Sequence, residues 1–243
     1  MTTKFRESFP DKVSVLAVIH ADTLEQTISN VKIAVENNLS WVFLINHRIN
    51  WMELVEIFWK TREEFEKIWM WINLLWHNLY GTINEVGLMQ MRWCRVDWIW
   101  VDNPEIKWIN PGYDNQDIIK KRINYLWWKW LYFWWVAFKY QPEVENLELA
   151  CAQWQKYLDV TTTSWPGTWE AVNIEKLKKI REFSGDHPIA VASGTNDKNI
   201  IDSSEFADIF LVSTHLNKQW DFLNLDPEKV KRMKGVVEKL NGR

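Results

Sequence analysis

Short apolar runs alternate along the chain with longer stretches in which apolar residues recur every three or four positions. The first run, Val13 to Ile19, is continuous enough for a strand covered on both faces, as a parallel sheet requires. Thr23 to Asn38 follows, with Leu24, Ile28, Val31 and Val35 on one helical face. Asp22 is the expected N-cap of that helix, with Glu25 three residues on. The same order then repeats. Strands are expected at Trp41–Ile45, Ile68–Leu75, Asp97–Val101, Leu131–Phe138, Leu158–Thr162, Ile189–Ala192 and Asp208–Val212. Helices are expected at Met52–Lys67, Ile83–Met91, Gln116–Tyr125, Val144–Gln155, Ile174–Phe183 and Lys198–Ile201. A last helix opens at Asp226-Pro227, with proline at the first helical position.

Eight strand–helix alternations with short connections predict an α/β fold, a single (β/α)₈ TIM barrel over residues 1–243. The length of 243 residues suits one such barrel. An open doubly wound sheet is the alternative, but no G-x-G-x-x-G follows the first strand. A net charge of −3, with Lys and Arg scattered, argues against nucleic acid as the main partner. Cys94 and Cys151 form no CxxC pair, which fits a reduced, cytoplasmic setting. The Val13–Ile19 run is too short for a signal peptide and is soon interrupted by His20 and Asp22. No stretch reaches the roughly 18 apolar residues of a membrane span; Tyr125–Phe138 comes nearest and carries Lys129. A soluble protein without membrane insertion is expected, and a homo-oligomer stays open.

Glycine and tryptophan stand in unusual proportion. The chain holds 19 tryptophans and 8 glycines, where glycine ordinarily makes up about 7%. Trp165 and Trp169 interrupt Thr-Thr-Thr-Ser-Trp-Pro-Gly-Thr-Trp-Glu, which with glycine would be a phosphate-cradling loop. Trp41, Trp71, Trp98, Trp134 and Trp135 lie in strand-like runs that would accept glycine. Trp76, Trp128, Trp130, Trp154 and Trp220 lie in loop-like or helix-end contexts. Two readings account for this: UGA codons meant as glycine but written as tryptophan, or a protein that is tryptophan-rich. Trp59 and Trp100 fit apolar positions of a helix and a strand under either reading.

Barrel chemistry sits at the strand C-termini. Those positions hold His20 and Asp22, Asn46 and His47, Asp102, Lys139, Thr163 and Ser164, Ser193-Gly194-Thr195, and Ser213-Thr214. Ser164, Gly167 and Thr168, then Ser193, Gly194 and Thr195, then Ser213 offer hydroxyls and close backbone approach, which suit a phosphate. The same residue types also simply make turns and caps. Asn46 is a further ligand-binding candidate. Asp102 is the favoured acid/base or ribose-binding group. Lys139 could neutralise an anion or form a Schiff base, and His20 could be a base or a structural histidine. No H-x-H or H-E-x-x-H spacing is present, so neither a metal nor another cofactor is expected.

Several segments resemble the BtpA family (BtpA/SgcQ-like TIM barrels). They are Thr161 to Val172 with glycine in place of Trp165 and Trp169, Leu177 to Arg181, Ile189-Ala-Val-Ala-Ser-Gly-Thr-Asn-Asp-Lys-Asn, and Ala207 to Lys218. Leu16-Ala-Val-Ile-His and residues 71–75 agree as well. The family's Pro-Leu-Pro-Gly-like loop after the first histidine is missing, and Asn46-His47 replaces a usual Glu-Asn. The resemblance implies a phosphate-binding barrel with either of two roles. One is an enzyme acting on a small phosphorylated sugar or nucleoside-type ligand. The other is a non-catalytic binding or assembly factor for a membrane protein complex.

Overall fold

A computed structural model describes residues 3–39, 41–101, 131–135, 144, 146–164 and 173–242. Within them, eight parallel strands close into a barrel in chain order. They are β1 (Ser14–Ala21), β2 (Trp41–Asn46), β3 (Trp69–Asn73), β4 (Trp98–Val101), β5 (Leu131–Trp135), β6 (Val160–Ser164), β7 (Ile189–Ala192) and β8 (Ile209–Val212). Closure comes from β1 pairing with both β2 and β8. The described helices are α1 (Thr3–Ser8), α2 (Leu24–Glu36), α3 (Trp51–Glu64), α4 (Leu79–Met91), α5 (Leu147–Tyr157), α6 (Ile174–Ser184), α7 (Asn199–Ser203) and α8 (Pro227–Leu240).

The period of two sorts each strand between two cores. Leu16, Val18, Phe43, Ile45, Trp71, Phe133 and Leu211 point into the barrel. Val15, Ala17, Val42, Leu44, Ile72, Val191 and Phe210 point outward beneath the helices. Polar residues start most helices. Asn50 forms a capping box with Glu53, and Asn78, Asn146 and Asn173 each accept an amide from the first turn. Asp226 caps α8, whose first residue is Pro227.

Several boundaries differ from the sequence expectation. Thr23, not Asp22, caps α2: its hydroxyl accepts from the Gln26 amide, while Gln26 Oε1 accepts from the Asp22 amide. β6 runs two residues beyond Thr162, so Thr163 and Ser164 belong to the strand. α4 starts at Leu79, four residues before Ile83. Trp154 lies inside α5, 4% exposed, packed in the outer core. The helix expected at Gln116–Tyr125 and the end of the strand expected to reach Phe138 lie outside the described residues.

The short helix α1 has no counterpart in the apolar periodicity. Its Phe5, with Phe9 just after it, joins the barrel-interior cluster. Phe9 stacks on Trp41 at 5.5 Å and on Trp98 at 5.3 Å, the first residues of β2 and β4. The N-terminal end of the barrel is thereby filled with aromatic rings.

One ionic clamp occurs twice, four strands apart. Arg62 on α3 donates to Asp97 Oδ2 at 2.6 Å and to the carbonyls of Arg95, Glu66 and Ile68. Asp97, just before β4, accepts the Met70 amide of β3. Arg181 on α6 donates to Asp208 Oδ2 at 2.6 Å and to the carbonyls of Phe206, Gly185 and His187. Asp208, just before β8, accepts the Ile189 amide of β7. Each carbonyl stands at the same offset from its arginine or aspartate in the two sets.

Candidate functional site

With the N-terminal end filled, a cavity of about 1160 Å³ opens where the strands end. His20 is the seventh residue of β1, on the same inward parity as Leu16 and Val18. Its Nε2 lies 2.8 Å from Ser213 Oγ, just past β8. The imidazole stacks on Phe222 at 4.0 Å, with His47 at 4.7 Å. Burial, helped by the neighbouring His47, lowers its pKa to about 3. The ring is therefore neutral at ordinary pH and has one N–H to give. Its Nδ1 is buried and has no hydrogen-bond partner among the described residues.

β7 delivers the second group. Ser193 and Gly194 follow it with φ of 72° and 64°. A side chain in that left-handed region costs about 1–2 kcal/mol, so Ser193 holds local strain. Asn199 fixes the loop: Nδ2 donates to the Gly194 carbonyl at 2.8 Å and Oδ1 accepts the Asn196 amide. Thr195 is 5% exposed, and its hydroxyl finds no partner among the described residues. Lys198, Lys218 and Lys229 reach the same wall. Lys229 Nζ donates to the Asn217 carbonyl at 2.6 Å. Nearby, Asp197 lies 3.4 Å from His215 Nε2 and 3.1 Å from Arg232 Nε. Burial lowers the His215 pKa against the pull of Asp197.

The structure brings His20, Ser193, Gly194, Thr195 and Ser213 onto one cavity wall. Asn46 does not line it. Parity explains why: Phe43 and Ile45 face inward, so Asn46 faces away, and its amide ties Leu75 N to Ile49 O instead. Ser164 is buried at the end of β6, in register with Ala192, and its carbonyl accepts from Lys176 Nζ at 3.2 Å. Asp102, Lys139, Gly167 and Thr168 lie outside the described residues, as do Trp165 and Trp169. The wall also holds residues that the strand-end reading did not choose: His47, Asn73, His215, Phe222 and Lys229. His47 and Asn73 follow from inward parity. The other three come from the chain after β8, whose path over the mouth depends on tertiary contacts. Leu223, for example, is anchored by Gln26 and Asn30 of α2.

Three tryptophans have backbone angles that favour glycine: Trp76 (φ 68°), Trp93 (66°) and Trp220 (62°). They are 91%, 95% and 97% exposed. Trp76 and Trp220 are each third in a turn closed by an i to i+3 bond, His77 N to Leu74 O and Asp221 N to Lys218 O. Positive φ at that position alone is the type II pattern, whose usual residue is glycine. Trp93 follows the C-cap of α4, with its amide on Gln90 O and the next amide on Met89 O. These are the two bonds of a Schellman motif, again a glycine position.

No protein-family model and no curated relative matches the sequence. Solved structures do match. Thiamine phosphate pyrophosphorylase from Pyrococcus furiosus aligns at 13% identity and TM-score 0.64, covering 95% of this chain and 98% of its own. Tryptophan synthase subunit alpha from Legionella pneumophila aligns at 12% and 0.65, covering 93% of each chain. Orotidine 5′-monophosphate decarboxylase from Methanocaldococcus jannaschii aligns at 12% and 0.63, covering 93% and 98%. The fold is a TIM barrel. Among the described residues, no helix is long and apolar enough to cross a membrane, and no group of three or more His, Cys, Asp or Glu is placed to hold a metal ion.

Proposed function

We propose that the chain is a BtpA-like barrel enzyme that binds a small phosphorylated sugar or nucleoside-type ligand at the strand C-terminal face. One observation carries this: Ser193, Gly194, Thr195 and Ser213 line one wall of a single cavity at the strand ends together with Lys198, Lys218 and Lys229. Thr195 stands beside Ser193, Gly194, Ser213 and the lysine side chains, a set of donors suited to an anion. Ser164, Gly167 and Thr168 complete the anion loop in this reading. Two of the similar structures carry phosphorylated compounds in their names, thiamine phosphate and orotidine 5′-monophosphate.

His20 is too weak a base to accept a proton near neutrality, so its part is to orient the Ser213 hydroxyl through Nε2. Proton transfer falls to Asp102, the residue after β4, with Lys139 pairing charge. Titration calorimetry with inorganic phosphate and with glycerol 3-phosphate tests the anion site. Saturable binding is expected, weakened by about 1.5–3 kcal/mol in Ser193→Ala if that hydroxyl bonds the anion. Absence of binding to either compound removes the anion from the account.

The tryptophans bear on the same reading. Glycine at Trp76, Trp93 and Trp220 satisfies three backbones that bend left-handed, and the bond patterns there support it. Glycine at Trp165 and Trp169 would open the β6 loop to a phosphate. The non-catalytic assembly role rests on exposed apolar groups at the mouth, chiefly Trp76, Trp220 and Phe222. Two of those three vanish if glycine is the natural residue, which favours the enzyme.

A further inference from the structure

The cavity wall changes character from one side to the other. Its β7–β8 side carries hydroxyls and ammonium groups, whereas its β1–β4 side is mainly apolar, with Phe43, Ile45, Leu75 and Trp100 beside His20, His47 and Asn73. Phe222 roofs that side, laid flat against His20 at a 30° interplanar angle. Phe43 and Trp100 meet edge to face at 5.7 Å, which fixes the floor. A ligand portion rich in hydroxyls would lose its water against these side chains and regain few hydrogen bonds. A flat ring would lose little and would gain face contact.

Resting on the anion reading of the β7–β8 side, we infer that the ligand is a phosphate ester carrying an aromatic or heteroaromatic ring, with the ring held against Phe43, Leu75 and Trp100 beneath Phe222. This selects the nucleoside-like ligand over the plain sugar phosphate. His20, His47 and Asn73 are the polar residues that line the same side. A mainly apolar wall with a few polar groups is the arrangement small-ligand pockets use to orient a ring.

Calorimetry with four probes separates the ring from the anion: inorganic phosphate, glycerol 3-phosphate, phenyl phosphate and indole. Phenyl phosphate is expected to bind roughly tenfold or more tightly than glycerol 3-phosphate, the scale of one aromatic stacking contact. Phe222→Ala, at a half-exposed position whose change leaves the barrel core intact, is expected to erase most of that advantage while leaving inorganic phosphate affinity unchanged. Equal affinities for phenyl and glycerol phosphate would overturn the ring while the anion site stands. If no phosphate compound binds, the anion reading falls and the ester with it. Indole then decides the ring surface alone: binding that Phe222→Ala abolishes upholds it, and no binding overturns it.

Discussion

Trp93 can be compared with other helix ends in the same chain. Asn38, after α2, stands in the same pair of bonds, its own amide on Val35 O and the Leu39 amide on Ala34 O, at φ 58°. Gly242, after α8, bonds Lys239 at φ 76°. Asparagine and glycine are the residues this position favours, and tryptophan is the exception. Changing Trp76, Trp93 or Trp220 to glycine relieves about 1–2 kcal/mol of backbone strain. The freer unfolded chain takes back about 0.4–1 kcal/mol. Each glycine variant is thus expected to be more stable by roughly 0.5–1 kcal/mol, or a rise in Tm of about 1–4 °C for a chain this size. Alanine at these sites keeps its Cβ and is expected to gain nothing. Trp154→Gly is expected to do the opposite, losing about 3–5 kcal/mol, because that side chain is buried inside a helix. Thermal melts of these variants check the set, and a destabilised Trp93→Gly would contradict it. The flanking Met91-Arg92 and Cys94 give no turn signature, so only the backbone bonds reveal Trp93.

At the scale of elements, the two clamps perform one task in two environments. Each arginine gathers the carbonyls of a helix-to-strand connection, and each aspartate aligns the start of two neighbouring strands. The Asp97 side chain is 0% exposed, and burial pushes its carboxyl pKa up against the pull of Arg62 and Arg95. The Asp208 side chain is 12% exposed and Arg181 is 22% exposed. Removing one partner of a buried pair costs about 3–5 kcal/mol, because the other charge is left without compensation. Asp97→Asn is therefore expected to lower stability by that amount and Asp208→Asn by clearly less, read as shifts of the urea midpoint at unchanged slope. Equal losses would show that burial does not set the difference. The strand order and the limits of β7 were legible because apolar runs alternate with amphipathic stretches. The end of β6 was not, since Thr161-Thr-Thr-Ser resembles turn sequence until its pairing with β7 is known. α1 was hidden by its brevity. At the mouth, chain order placed His20, Ser193 and Ser213 correctly, whereas the choice between Asn46 and His47 turned on the parity of Trp41, Phe43 and Ile45.

For the whole molecule, the barrel holds a buried imidazole near one end and a half-buried one near the other. His20 stands at the mouth, and His187 sits beside the start of β7, its carbonyl bound by Arg181. Burial lowers His20 to about 3 and His187 to about 4, the latter against the opposing pull of Asp159. In the unfolded chain both titrate near 6.5. As the pH falls below that value the unfolded state takes up two protons that the folded state refuses, so stability falls with falling pH. Each histidine contributes a slope of up to about 1.4 kcal/mol per pH unit, so the two together approach about 2.7. The His187 share ends near pH 4, where the folded state binds that proton too, and the His20 share continues toward pH 3. His20→Gln and His187→Gln should each remove a comparable share of the slope between pH 6 and 4.5, and His215, whose pKa burial also lowers, holds part of what remains in the double variant. Urea midpoints across that range measure the effect. Acid sensitivity unchanged in the double variant would overturn the assignment to these two histidines.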